Sequence, residues 1–181
     1  IPMAYPDYYS VNKQTNKSKM ESFWDTSLDP NEGKTVVEII KEISLGKIKG
    51  LYVQGENPAM SDPDQIHSRK ALAKLEHLVV QDIFMTETAW NADVILPASA
   101  HAEKTGTYTN TNRQIQIGRA VVKPTNKVRQ DWWIIQEIAK RMGLSWSYKS
   151  PRDIFDEMKL VMPSLDNISW ERLEKDNHVT Y

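Results

Sequence analysis

The sequence predicts an α/β fold whose core is an open, mainly parallel sheet with helices on both faces. Three short apolar runs, at residues 48–55, 77–82 and 93–99, have the length and composition of buried strands. Segments of helical or turn character separate them, and strands that alternate with helices at short spacing pair in parallel through right-handed crossovers. An extended N-terminal arm and a helical C-terminal part are predicted to flank this sheet.

The bulk composition is that of a soluble globular protein. The chain has 181 residues, of which 40% are hydrophobic and 26% are charged, and its formal net charge of −1 offers no basic field for a nucleic-acid backbone. No run approaches the ~18 apolar residues of a membrane span, and the first residues lack the features of a signal peptide. We therefore expect a cytoplasmic protein with no nucleic-acid partner and no direct membrane contact. Because the chain begins without Met, we also expect it to be a piece of a longer polypeptide.

Cysteine is absent from the sequence. This excludes disulfides, thiolate zinc sites, cysteine nucleophiles and iron–sulfur ligation within these residues. The four His residues are scattered without ligand spacing, so no metal site and no catalytic residue are predicted. The sequence has no GxGxxG pattern, and "GKT" at residues 33–35 lacks the earlier Gly of a phosphate loop, because Leu28 stands at that position.

The N-terminal elements are predicted from their breakers and caps. Residues 1–33 are rich in Pro, Asn and Lys and are predicted to form an irregular extended arm with at most one helical turn. Residues 34–46 are predicted as a helix, because Thr35 and Glu38 form a capping box and Gly46 can end it.

The elements that follow are predicted in the same way. After the first strand, Asp62 is predicted to cap a helix that has Pro63 at its first position. The second strand is followed by a short helix or turn, and the third by a polar loop and one or two short strands. Three C-terminal helices are predicted, with Asp131 capping the first, Ser150 and Asp153 opening the second, and a short last helix over residues 169–176.

Polar residues follow the predicted strands where a ligand would bind. In an open parallel sheet, ligands lie outside the carboxyl ends of the strands, where helix N-termini point their amides outward. A nucleotide needs close backbone approach, amide or hydroxyl donors, and a carboxylate that can accept two hydrogen bonds from a ribose diol or from the guanine edge. The residues that offer this set are Gly55, Asn57, Ser61, Gln81 and Asp82.

Each of these polar residues also has a purely structural interpretation. Asp82 can cap the next turn, Asn57 can form an Asx turn before Pro58, and Ser61 can share in capping the next helix. Asp131 can be a simple helix cap. Spacing alone leaves both interpretations open.

Three long motifs together resemble one known family. They are "LYVQGENPAMSDPD" (51–64), "VVQDIFMTETAWNADVILPASAHAEKTGTYTNTNRQIQIGRAV" (79–121) and "DWWIIQEIAKRMG" (131–143). In sequence and in order, these motifs resemble the catalytic alpha subunit of the molybdopterin-guanine-dinucleotide oxidoreductases, in particular that of formate dehydrogenase. The resemblance runs from about residue 34 to 145. It implies three parts, namely an arm at 1–33, a segment of a Rossmann-like dinucleotide-binding domain at 34–145, and a helical extension at 146–181.

The resemblance implies a parent chain several times longer than this one. Such a parent oxidises formate to carbon dioxide with electron transfer, and it binds molybdopterin guanine dinucleotide with molybdenum or tungsten together with an iron–sulfur cluster. The family's metal ligand is a cysteine or selenocysteine, and its cluster needs four cysteines. This chain has none, so the fragment alone is expected to be inactive and to leave the cluster unligated.

The family's cofactor contacts carry over to matching positions in this chain. Asn57 and Ser61 match positions that contact a guanine dinucleotide, while Gln81 and Asp82 match the pair that holds its guanosine. The full set of cofactor-binding residues that the resemblance implies is Gly55, Asn57, Ser61, Gln81, Asp82, Thr86, Lys104 and Asp131.

The resemblance also implies partners and leaves alternatives open. The expected partners are the remaining segments of the same alpha subunit and other electron-transfer subunits, through which the parent could associate with a membrane. One alternative is a structural, non-catalytic domain of a related respiratory-complex subunit. Others are a different family member such as nitrate reductase, or a self-contained module that binds a nucleotide or another small molecule.

Overall fold

The computed structural model describes residues 3–125 and 127–180, so the predicted arm and helical extension each reach beyond the described residues. The chain divides into two compact units. One consists of Ile1–Lys34, Thr105–Ala120 and Ser147–Tyr181, and the other of Thr35–Lys104 and Val121–Trp146. The three-part domain division predicted from the sequence stays a prediction.

The described residues form both α-helices and β-strands. The helices are α1 (Gln14–Trp24), α2 (Val36–Ser44), α3 (Pro58–Ser61), α4 (Gln65–Leu72), α5 (Asp131–Arg141), α6 (Pro151–Lys159) and α7 (Trp170–Asp176). The strands are β1 (Gly50–Gln54), β2 (His77–Asp82), β3 (Val94–Pro97), β4 (Gly106–Thr109), β5 (Gln114–Gly118) and β6 (His178–Thr180). No helix in the described part of the chain is both long and apolar enough to cross a bilayer.

The unit formed by residues 35–104 and 121–146 contains the predicted sheet. Its strands lie in the order β1-β2-β3 and both pairs are parallel. The α/β class and the parallel sheet are therefore confirmed. The register places Val53 beside Val80 and Val80 beside Ile95, so one face of the sheet is continuous across the three strands.

The two faces of this sheet differ in chemistry. Alternation along a strand directs Leu78 and Val80 to one face, where they pack with Val53 in a buried cluster. Tyr52 and Gln81 point to the opposite face, which also carries Val79 and Leu96 and is called the polar face below. Burial of each aliphatic side chain on the first face contributes about 1.5–3 kcal/mol. The polar face therefore offers hydrogen-bonding groups near the carboxyl ends of the strands.

Helix boundaries in this unit follow local capping, with one correction. The capping box of Thr35 and Glu38 at the start of α2 is confirmed. The prediction that Asp62 caps a helix starting at Pro63 is wrong, because the chain first forms the short α3 and α4 begins only at Gln65. Asp64 is the true cap, and its Oδ1 accepts a hydrogen bond from the His67 amide at 3.0 Å.

The second unit, which consists of residues 1–34, 105–120 and 147–181, contains an antiparallel sheet that the sequence only partly predicts. Its strands lie in the order β4-β5-β6. Strand β4 falls within the segment predicted as a polar loop, and β6 was not predicted. Both are short strands that pair with β5. Because their conformation depends on this pairing, their own sequences indicate a strand only weakly.

Helices at both ends of the chain belong to this second unit. The prediction of an extended arm with at most one helical turn is wrong for residues 14–24, which form α1 with a fully buried Met20. A helix with a single buried residue gives little periodicity to read. The predicted start of α6 is confirmed, because Ser150 and Asp153 form a capping box. Helix α7 is also confirmed, with Ser169 as its cap.

Candidate functional site

Gln81 lies at the end of β2 and is fully buried. Its Nε2 donates to Asp131 Oδ1 at 2.8 Å, and its Oε1 accepts a hydrogen bond from the Tyr52 hydroxyl. A buried amide is tolerated when its polar atoms find partners, and here both ends of the amide are used. Gln81 therefore holds other side chains in place on the polar face of the sheet.

Asp131 is the first residue of α5 and is not a helix cap. The cap position is Gln130, which makes no side-chain capping bond, so the simple-cap interpretation of Asp131 is wrong. Its Oδ1 accepts from Gln81, and its Oδ2 forms an ion pair with the ammonium of Lys104. The side chains of Lys104 and Asp131 are each 27% exposed. Partial burial strengthens this pair relative to a surface salt bridge, because water screens it less.

Three predicted site residues therefore meet in one network. Gln81, Lys104 and Asp131 lie far apart in the sequence, and Gln81 and Asp131 are separated by 50 positions. The network orients the Lys104 ammonium at the edge where the parallel strands end. Such a cation, fixed by a carboxylate, can bind an anionic group.

Tyr52 is part of this network and was missed from the sequence. Burial raises the pKa of the Tyr52 hydroxyl, and the nearby charge of Asp131 raises it further. The phenol therefore stays neutral and donates its proton to Gln81. One signal could have found it: Tyr52 shares the face of Gln81, because β1 and β2 run in register with Gln54 beside Gln81.

Asp82 follows Gln81 and faces the opposite way along the strand. Its Oδ1 accepts hydrogen bonds from the backbone amides of Ile83 at 2.6 Å and Phe84 at 3.3 Å, so it caps the turn after β2. Within residues 3–125 and 127–180, its Oδ2 makes no hydrogen bond. The half-buried carboxylate therefore combines its structural role with one open acceptor oxygen.

Asn57 connects the end of β1 with the segment after β2. Its Nδ2 donates to Glu87 Oε2 at 2.6 Å, while its Oδ1 accepts from the amide and the hydroxyl of Thr88 at 3.1 and 2.7 Å. The Asx-turn interpretation is wrong, because an Asx turn uses the backbone two residues further on, whereas Glu87 and Thr88 belong to the segment after β2. The hydrogen bond from Asn57 is the main reason that the pKa of Glu87 is lowered.

The three remaining predicted residues lie at the same edge of the sheet. Ser61 donates to Glu56 Oε2 at 3.1 Å and does not cap α4. Thr86 accepts from the Ala89 amide at 3.2 Å and fixes the turn after β2. Gly55 has a φ of +60° and open space around its Cα, so the backbone there can approach a ligand closely.

The electrostatic character changes along this edge. The β1 side carries the carboxylates of Glu56 and Glu87 beside Asn57, whereas the network on the polar face presents the Lys104 ammonium. Carboxylates suit the hydroxyls of a sugar or the N–H edge of a base, and a cation suits a phosphate. In the described part of the chain, no three His, Cys, Asp or Glu residues are grouped to hold a metal ion.

Comparison with known proteins gives consistent findings. The family model described as Molybdopterin oxidoreductase matches residues 9–141. The chain is 45% identical over 178 residues to the F420-dependent formate dehydrogenase subunit alpha of Methanocaldococcus jannaschii. It is 39% identical over 179 residues to the F420-dependent formate dehydrogenase 1 subunit alpha of Methanococcus maripaludis.

Both relatives are much longer than this chain. Each match covers 97% of this chain and 26% of the relative, so the chain spans about a quarter of their length. Among solved structures, acetylene hydratase from Pelobacter acetylenicus superposes with a TM-score of 0.65 at 22% identity, covering 98% of this chain and 25% of that one. That likeness concerns the fold alone.

Proposed function

The chain belongs to the molybdopterin oxidoreductase family, and from that premise we propose that it forms part of a molybdopterin guanine dinucleotide site in the alpha subunit of a formate dehydrogenase. The parent enzyme oxidises formate to carbon dioxide and passes the electrons to other subunits. The names of the two similar alpha subunits, both called formate dehydrogenase, support formate as the substrate.

The observation that carries this proposal is the network of Gln81, Asp131 and Lys104. A cation that is partly withdrawn from water, and oriented by a carboxylate that a buried amide holds, suits a phosphate of a dinucleotide. Lys104 is the residue that contacts the phosphate in this proposal. Asp131, Gln81 and Tyr52 act through it as positioning residues.

A guanosine group fits the residues after β1 and β2. The open Oδ2 of Asp82 can accept from the N1–H or N2–H of guanine, donors that adenine lacks at that edge. Gly55 leaves room for the ribose or its phosphate, because no side chain stands there. Three other residues support this region through hydrogen bonds. Asn57 binds Thr88, Ser61 binds Glu56, and Thr86 binds the Ala89 amide.

The chain's own contribution is binding and orientation. When bound, the pterin and its molybdenum or tungsten supply the two-electron chemistry. The metal ligand and the cysteines of the iron–sulfur cluster come from other segments of the parent, since this sequence contains no cysteine. The partners in this proposal are those segments and the electron-transfer subunits of a cytoplasmic enzyme.

Calorimetric titration of the chain with GDP and with ADP tests the nucleotide part of the proposal. We expect GDP to bind more tightly than ADP, and Asp82→Asn to remove most of that difference. Glu76→Gln is the matched control, because Glu76 is an exposed carboxylate just before the opposite end of β2. Lys104→Met should weaken GDP and ADP equally, since both carry phosphates.

The same variants test the activity in the intact parent enzyme. We expect Asp82→Asn and Lys104→Met to lower the molybdenum or tungsten content and, in proportion, the formate-dependent reduction of a dye. Equal affinity for GDP and ADP, unchanged by Asp82→Asn, would count against a guanosine site. Full cofactor loading without any formate oxidation would count against the substrate alone.

A further inference from the structure

A cavity with a volume of about 350 Å³ lies within the second unit. One wall is apolar and is formed by Phe155 and Met158 on α6 and by Met162 in the segment that follows this helix. The predicted cofactor-binding residues are all described by the structure, and none of them lines this cavity. Sites for small ligands have volumes of ~300–1,000 Å³, so the cavity is large enough for a small molecule.

Two hydroxyl groups of β4 face this cavity. Thr109 lies opposite Ile115 in the antiparallel register, and residues that are directly opposite share a face of the sheet. Ile115 belongs to the buried core together with Phe155, whereas β4 carries Thr107 and Thr109 on the same face. Both Thr side chains line the cavity, and neither hydroxyl bonds to another of the described residues. The core-facing side of the sheet therefore ends in free hydroxyls.

Two opposite charges also line the cavity. Asp7 lies in the turn Pro6–Tyr8, and its two oxygens accept from the hydroxyl of Ser164 and, at 3.4 Å, from its amide. Each carboxylate oxygen can accept a further hydrogen bond. Arg113 lies in the turn between β4 and β5, and its guanidinium pairs neither with Asp7 nor with another residue in the described part of the chain. The cavity thus offers an acceptor and a cationic donor that do not neutralise each other.

The backbone is strained at three of the residues that line this cavity. Asp7, Tyr8 and Arg113 have φ values of +61°, +57° and +64°. This conformation is uncommon for residues with a side chain, and Asp25 and Asn177 are the only other non-Gly residues that adopt it within 3–125 and 127–180. Strained residues cluster where a ligand is held. Their grouping here points to a binding site.

We infer that this cavity binds a small zwitterion with an apolar side chain, the chemical class of the apolar α-amino acids. The Arg113 guanidinium binds the carboxylate of the ligand, Asp7 accepts from its ammonium, and its side chain packs on the apolar wall. An aromatic side chain suits this wall, because the sulfurs of Met158 and Met162 make favourable contacts with aromatic rings.

Other occupants fit the cavity less well. A simple anion would be repelled by Asp7, and a simple cation by Arg113. A segment of polypeptide would bring backbone amides against the apolar wall, where they would lack partners. The inference depends neither on the cofactor site nor on formate as the substrate.

Methyl NMR of the intact parent protein, labelled at the methionine methyl groups, tests the inference. L-phenylalanine should shift the signals of Met158 and Met162 and leave that of Met142, which is 78% exposed and lies in the other unit, unchanged. Phenylpropanoate lacks the ammonium and phenylethylamine lacks the carboxylate. We expect each of them to bind at least ~10-fold more weakly than L-phenylalanine.

Two variants assign the charged contacts. Arg113→Met should weaken L-phenylalanine to the affinity of phenylethylamine, because only the ammonium contact remains. Asp7→Asn should weaken it to the affinity of phenylpropanoate, and Asn tolerates the positive φ at this position. Arg172→Met is the matched control, because Arg172 is an exposed arginine on α7 that does not line the cavity. This control should change the affinity by less than ~2-fold.

Three results would overturn the inference. One is the absence of any shift at Met158 and Met162 with about 10 mM L-phenylalanine, as would occur if the parent's own chain fills the cavity. Another is equal affinity for the three probes. The third is an equal effect of Arg113→Met and Arg172→Met. None of these measurements involves a nucleotide or formate, so failure here is distinct from failure of the proposed function.

Discussion

Replacing Gln81 with Leu removes the buried amide at the centre of the polar network while keeping a side chain of similar size. The variant loses a hydrogen bond to the charged Asp131, a class worth about 1.5–3 kcal/mol, and one from Tyr52 worth about 1 kcal/mol. Water replaces part of this, because the Asp131 side chain is 27% exposed and Tyr52 is 40% exposed. We therefore expect the free energy of unfolding to fall by about 2 kcal/mol.

Urea denaturation of the chain, followed by tryptophan fluorescence, measures this loss. At this chain length it corresponds to a fall of about 4–8 °C in melting temperature. Gln54→Leu is the matched control, since Gln54 lies beside Gln81 in the register but is exposed in this chain. The control should stay within about 0.5 kcal/mol of the unmodified protein.

A double-mutant cycle separates the contact from the loss of the residue. Combined with Asp131→Asn, Gln81→Leu should show a coupling energy of about 1–2 kcal/mol, because the two side chains share one hydrogen bond. If Gln81→Leu and Gln54→Leu prove equally stable, or if the cycle shows no coupling, then the network does not hold Asp131 and its role in orienting Lys104 fails.

Three further predictions follow from single contacts. Asn57→Ala should raise the pKa of Glu87 toward its ordinary 4.5, which an NMR titration measures. In the unmodified protein, the lowered pKa of Glu87 stabilises the fold above pH 4.5, and this stabilisation is lost as the pH falls through the lowered pKa. Burial, with the hydrogen bond to Glu157, raises the pKa of Tyr148 to about 12, so the stability linked to it is full below pH 10 and is lost as the pH rises toward 12. Glu157→Gln should lower that pKa in an ultraviolet titration. Gly55→Ala should lower the free energy of unfolding by about 1 kcal/mol, because its φ of +60° strains a side chain.

These three predictions have simple controls. Gly106→Ala serves for Gly55, because Gly106 also has open space around it but no positive φ; equal effects of the two substitutions would contradict the strain argument. An unchanged Glu87 titration in Asn57→Ala would show that the carboxylate finds another donor. A Tyr148 that titrates at its ordinary value of 10.0 would show that its surroundings are wetter than the structure indicates.

Two helix starts were predicted correctly from local capping alone. The boxes at Thr35 and Ser150 need only two residues at fixed spacing, so they can be read without tertiary information. Helix α1 and strand β4 were not predicted, because α1 buries only Met20 and β4 is a short strand that pairs with β5. The false cap at Asp62 arose because Asp62 and Asp64 both precede the helix, and only the geometry of the turn selects Asp64.

In the candidate site, too, the sequence did not predict the contacts between residues that are far apart in the chain. The sequence placed polar residues at the strand ends, and that edge of the sheet is where they lie. It could not assign their partners. Asp131 fitted a cap pattern, yet its carboxylate is used by Gln81 and Lys104, and Tyr52 looked like an ordinary strand residue.

By itself, the sequence determined the α/β class and the parallel pairing of its three apolar runs, because strands that alternate with helices can be recognised from local periodicity. Its composition also excluded cysteine chemistry. Only the tertiary structure decided that Gln81 points inward to organise a network while Asp82 keeps an oxygen open. The direction of a side chain at the end of a strand depends on which face of the sheet is covered, and here that face is covered by residues some 50 positions away.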